Sequence, residues 1–153
     1  MKNAVLIGVG AALLGAVALS IGIEIGQTGD GVLKAEDSAT VQLGEQIYAR
    51  ACASCHGADL AGQADWRSQG PDGRLPAPPH DASGHTWHHD GDTLFRLTKY
   101  GVAALIGDPD YQSNMPAYEG ILTDGEIIAV LSYIKSTWPE AIRAQHDDME
   151  KTQ

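Results

Sequence analysis

The chain has 153 residues, room for one ordinary domain and an appendage. Twenty acidic against ten basic residues leave a formal charge of −10, which excludes a phosphate-reading, nucleic-acid-binding surface and suits basic patches on protein partners. Glycine is abundant at 18 and phenylalanine occurs once, so a core of side chains alone would be thin and a large flat cofactor would help fill it.

The first predicted element is the apolar segment 4–23, with Lys2 and the amino terminus in front of it. About 20 such residues can just cross a hydrocarbon layer, and the leading positive charge sends the remainder of the chain across the membrane. Residues 1–26 therefore read as a signal-anchor or a cleavable signal peptide, with Ala16-Val17-Ala18 as the A-x-A-like site. The apolar run continues through Leu19, Ile21, Ile23 and Ile25 without a polar approach to that site, which favours the anchor. Residues 27–37, with Gly29, Gly31 and several charges, read as a linker.

A helix is expected from near Ser38 or Thr40, with Asp37 and Ser38 as candidate caps. Val41, Gly44, Ile47, Tyr48 and Ala51 recur at three- and four-residue steps. Gly44 disfavours a helix on propensity, so it marks a crossing where two backbones come close. The helix runs into Cys52-Ala53-Ser54-Cys55-His56, which holds the only two cysteines. C-x-x-C-H is the attachment signature of a c-type haem: both thiols add to the porphyrin vinyl groups and His56 supplies the proximal ligand. A thioredoxin-like C-x-x-C would want a βαβ context, a zinc site about four ligands, and an exported chain could pair the cysteines as a disulfide.

Helical periodicity fails over residues 57–91, where Pro71, Pro76, Pro78 and Pro79 stand. So long a loop suits a domain in which it covers something. A metal-bound histidine donates its second ring N–H to an acceptor, and the carbonyl of Pro78 is the candidate for His56; loop stiffening is the alternative role for that proline. His80, His85, His88 and His89 raise a copper or zinc site, but their spacing matches no compact motif, and a solvated or propionate-facing loop is the alternative. Trp87, Arg96 and Tyr100 are candidate propionate contacts or packing and surface residues.

A short helix is expected between the start signal at Asp90 to Asp92 and the stop at Gly101, with Leu94, Phe95, Leu97 and Thr98 as its buried face. Residues 107–118 are irregular and contain Met115-Pro116. A methionine outside any periodic element, its backbone stiffened by the next proline, is the candidate sixth ligand, because a thioether suits low-spin haem iron. Thr123-Asp124-Gly125-Glu126 is a capping box, and the helix it opens carries Ile127, Val130, Leu131, Ile134 and Trp138 on one broad face. Pro139 ends or kinks it, and residues 140–153 read as a short helical continuation fraying into a polar tail.

The order of the Cys52–His56 motif, the Met115-Pro116 loop and the capped last helix resembles a class I cytochrome c over roughly residues 38–142. The resemblance implies an all-α fold around one covalently bound haem, its first and last helices crossing at the positions of Gly44 and Tyr48. Residues 78–89 and 98–101 are similar to a bacterial membrane-associated monohaem group. The expected organisation is a segment at 1–26, a linker at 27–37, a haem domain at 38–143 and a tail at 144–153. The expected function is one-electron transfer by a haem c with Cys52, Cys55, His56 and Met115 as its ligands, exchanging electrons with redox protein partners. It is not read as an enzyme. The expected location is the periplasmic face of the bacterial cytoplasmic membrane, or the soluble periplasm after cleavage. A haem-based sensor or peroxidase-like module with a labile sixth ligand is the alternative, and a copper-handling role for the histidine loop is a third.

Overall fold

The computed structural model describes residues 31–152. Among them the secondary structure is helical, without strands: α1 (Ser38–Ala51), α2 (Ala53–His56), α3 (Gly91–Tyr100), α4 (Val102–Ile106), α5 (Asp124–Ser136) and α6 (Glu140–Glu150), with a 3-10 turn at Thr86–His88. This is the all-α architecture the sequence implies.

Local chemistry sets the ends of the main helices. The Asp37 carboxylate accepts from the Thr40 N–H at 2.7 Å and starts α1. The Asp90 carboxylate accepts from the Thr93 N–H at 2.8 Å and starts α3, which stops at Gly101. At α5 the Thr123 hydroxyl accepts from the Glu126 N–H at 3.3 Å, and the Glu126 carboxylate accepts from the Thr123 N–H at 2.9 Å. This is a complete capping box. Pro139 does not kink α5; that helix ends at Ser136, and Pro139 stands as the cap of α6.

The most extensive helix pairing among the described residues is α1 against α5. Gly44 permits it: a Cβ there would fall on the Ala129 carbonyl and come 2.8 Å from Tyr133 Cβ. Around this crossing Ile47, Tyr48, Ile127, Val130, Leu131, Ile134 and Trp138 form the buried core.

Three segments differ from expectation. Helix α4, held between Gly101 and Gly107, is too short for a period to show in the sequence. The end of the expected linker lies on α5: Leu33 is 7% exposed, and the Lys34 N–H donates to Ser132 Oγ at 2.8 Å. Residues 144–150 do not fray. They complete α6 and bury His146, whose Nε2–H donates to the His89 carbonyl at 3.0 Å. The Glu150 carboxylate accepts from the Gly91 N–H at the start of α3. Polar groups that bury in pairs leave no apolar period, so the sequence marked a helical continuation here but not its burial. The apolar segment at 1–26 lies outside the described residues; among the described residues no helix is long and apolar enough to cross a membrane.

Gly44→Ala should destabilise the domain by about 2–3 kcal/mol, because the new methyl meets backbone that cannot yield; urea unfolding reads this. A second expectation concerns pH. Burial, with Lys135 nearby, holds the His146 pKa below its ordinary 6.5, against the opposing pull of Glu150, the His89 carbonyl and Asp147. The unfolded chain therefore binds a proton that the folded chain refuses, so this contribution is complete above 6.5 and is lost as pH falls toward the folded pKa. The urea midpoint should drop as pH falls below about 6.5, and His146→Gln should make the drop shallower, with His80 and His85 supplying part of the remaining slope.

Candidate functional site

The C-x-x-C-H motif begins where α1 ends. Cys52 caps that helix, and its carbonyl accepts from the Cys55 N–H at 3.1 Å and the His56 N–H at 3.0 Å. The single turn of α2 leaves Cys52 half-buried, Cys55 exposed and His56 only 6% exposed. Both thiols are free. Burial, then the neighbouring Cys55, pushes the Cys52 thiol up to about 11, so it stays protonated at neutral pH. The Tyr48 hydroxyl donates to the Gly57 carbonyl at 3.0 Å and ties the turn back to α1.

His56 Nδ1 lies 2.8 Å from the Pro78 carbonyl. A carbonyl can only accept, so Nδ1 carries the proton and Nε2 keeps its lone pair. Burial lowers the His56 pKa while the Pro78 carbonyl opposes it, and the ring is neutral. This is the tautomer a metal requires. The carbonyl is held from behind: a Cβ on Gly62, at φ +69°, would come 2.6 Å from Pro78 C. The Gln63 N–H donates to the Ala77 carbonyl and its side-chain oxygen accepts from the Ala77 N–H, each at 2.8 Å.

The histidine-rich loop does not converge. His80 stacks on His56 with centroids 3.8 Å apart and planes inclined by 17°. Tyr48 meets its ring edge-on, and Trp138 Nε1–H donates to the His80 carbonyl at 2.8 Å. Burial, then His56 and His85, pushes His80 down to about 3, so it too is neutral. His85 stacks on Trp66, and His88 stacks on Trp87. Among the described residues no group of three or more His, Cys, Asp or Glu side chains is placed to hold a metal ion. Arg96 faces Asp92 at 3.9 Å on the surface, and Tyr100 is 43% exposed. Trp87 differs from both: its buried Nε1–H has no hydrogen-bond partner among the described residues.

Met115 is half-buried against the core, in a loop fastened on both sides. After it, the Tyr118 hydroxyl donates to the Ala51 carbonyl at 2.6 Å, next to Cys52, and the Tyr118 N–H donates to the Thr98 carbonyl at 3.1 Å. Before it, the Ser113 hydroxyl accepts from the Met115 N–H at 3.0 Å, and Asn114 meets Arg74. Sequence reasoning gave no role to Arg74, Trp138 Nε1 or the Tyr118 hydroxyl; the place of Tyr118 just after Met115-Pro116 was the one usable signal. A cavity of about 520 Å³ lies between residues 31–37 and helices α5 and α6, and no residue of the motif lines it.

A c-type haem needs two free thiols, a neutral imidazole with an open nitrogen, a soft or nitrogen ligand opposite, and donors for its propionates. Cys52 and Cys55, the Nε2 lone pair of His56, the half-buried Met115 and the unpartnered Trp87 N–H fit that set. No curated protein and no solved structure matches the chain. A family model described as Cytochrome c matches residues 41–138, well over half of the sequence, from within α1 to beyond the end of α5. Its members carry electrons between redox proteins on a haem c bound covalently at C-x-x-C-H, rather than acting as enzymes. The chain therefore belongs to the cytochrome c family, as a class I member.

Proposed function

We propose that this protein is a one-electron carrier with His56 and Met115 as its axial ligands, tethered to the periplasmic face of the cytoplasmic membrane by residues 1–26. The observation that carries the reading is the pairing of a neutral, Pro78-oriented His56 with a Met115 loop fastened to Ala51 beside the motif. When bound, haem supplies a reversible one-electron couple that needs no proton from a side chain. The chain's residues do the rest. Pro78 fixes the face that His56 presents. Cys52 and Cys55 anchor the ring, and the exposed Cys55 marks the edge a partner can reach. A thioether from Met115 would raise the reduction potential and close the metal to external substrates. Such a couple makes the protein a carrier rather than an enzyme.

The net charge of −10 points to donors and acceptors with basic docking patches. The tether would confine the search for them to the membrane surface and raise their effective concentration. Cleavage after Ala18 would instead give a soluble periplasmic carrier.

Met115→Ala should abolish the His/Met spectral features and let the ferrous protein bind carbon monoxide rapidly, whereas the native protein should bind it slowly. An unchanged spectrum would remove Met115 from the iron. Rapid binding by the native protein would favour the sensor or peroxidase-like alternative. Intact mass of the membrane fraction should show one haem on an uncleaved chain; a shortened, wash-released species would replace the tether with signal cleavage.

A further inference from the structure

The loop that orients His56 also reaches the residue beside Met115. Four positions before Pro78, Arg74 Nη1 donates to Asn114 Oδ1 at 2.6 Å, and its Nη2 donates to Gln112 Oε1 at 3.4 Å. Asn114 Nδ2 donates back to Asp72 Oδ2 at 3.4 Å, while Asp72 Oδ1 accepts from the Arg74 N–H at 3.1 Å. The turn presenting Arg74 is closed by its own backbone: the Gly70 N–H donates to the Arg74 carbonyl at 2.8 Å and the Gly73 N–H to the Gly70 carbonyl at 2.9 Å. Beside these contacts the two loops part around a cavity of about 320 Å³ lined by Gln69, Gly73, Leu75, Asp110, Tyr111 and Gln112.

The two sides of Met115 are held differently. After it, Tyr118 is bonded to α1 and α3. Before it, residues 108–112 bond mainly within themselves, through the Asp110 N–H to Asp108 and the Gln112 side chain to the Asp110 carbonyl. The Arg74–Asn114 contact fastens that side across the gap, and a guanidinium suits the task because its donors are fixed in one plane and reach two acceptors at once. We infer that Arg74 and Asn114 are positioning residues forming a clasp that holds the Met115 loop shut and sets how often the sixth position opens to an external ligand. The inference rests on the reading of Met115 as the axial thioether. Opening from this side swings Met115 about the Tyr118 anchor, a local event that leaves the His56–Pro78 bond in place.

The test uses the full-length, haem-loaded ferric protein mixed with imidazole, reading the limiting rate at saturating imidazole. Arg74→Ala and Asn114→Ala should each raise that rate by about 3- to 10-fold, the loss expected for one net hydrogen bond. The double variant should fall well short of the product of the two single effects, because both remove the shared contact while each loses one more of its own, Arg74 to Gln112 and Asn114 to Asp72. Arg74→Lys, which keeps the charge but not the fork, should fall between wild type and Arg74→Ala. Arg74→Gln replaces the alanine variant if that one loads haem poorly. Wild-type rates in both single variants, or fully multiplicative rates in the double variant, would overturn the clasp. Met115→Ala separates the two ideas. If it opens the site while Arg74→Ala does not, the clasp alone fails; if it binds imidazole no faster than wild type, the Met115 reading fails and the clasp falls with it.

Discussion

The hydrogen bond from His56 Nδ1 to the Pro78 carbonyl is the constraint on which the functional arrangement depends. An imidazole beside two thiols could take either tautomer and rotate about its side-chain bonds. The carbonyl decides the tautomer, and burial keeps the ring neutral. A proline-rich loop suits this role because its backbone has little freedom to lose, and the glycine at position 62 lets that loop lie against the chain just past the motif. His80 completes the packing as a second neutral ring stacked on the first, its carbonyl fixed by Trp138 Nε1–H on the far side.

The helical frame brings the motif to this loop. Gly44 allows α1 and α5 to cross with backbone in contact, and that crossing sets where Cys52 emerges from the end of α1. Helix α5 also carries Ser132, which fixes the incoming chain at Lys34, and leads to Trp138, which holds the histidine loop. The α1–α5 pair thus positions both the motif and the segment that orients its histidine. The carboxy-terminal helix joins the same assembly, because Glu150 and His146 bond to the backbone at Gly91 and His89, where the histidine loop ends and α3 starts.

What was legible in the sequence was local or chemically singular. The Thr123 capping box lies within four residues, and Gly44 stands out against its helical period. The C-x-x-C-H motif is contiguous, and the structure places Pro78, picked as an acceptor on the chemistry of metal-bound histidine, at hydrogen-bond distance from His56. The contacts that closed the site were not legible. Tyr118 to Ala51, Trp138 to His80 and Arg74 to Asn114 span 67, 58 and 40 positions, and each uses a polar atom of a residue whose ring or length reads as core or surface. The four clustered histidines are the opposite case: their adjacency raised a shared metal that their spacing did not support, and the structure spreads their rings among Trp66, Trp87, His56 and one another.

The electronic character of the carrier depends on which atoms flank the iron, so the most direct measurement is iron X-ray absorption on the purified full-length protein in both oxidation states. The account predicts six-coordinate iron with a single sulfur scatterer among nitrogens, unchanged in number on reduction. Coordination by nitrogen alone, or five-coordinate iron in the ferrous state, would contradict it.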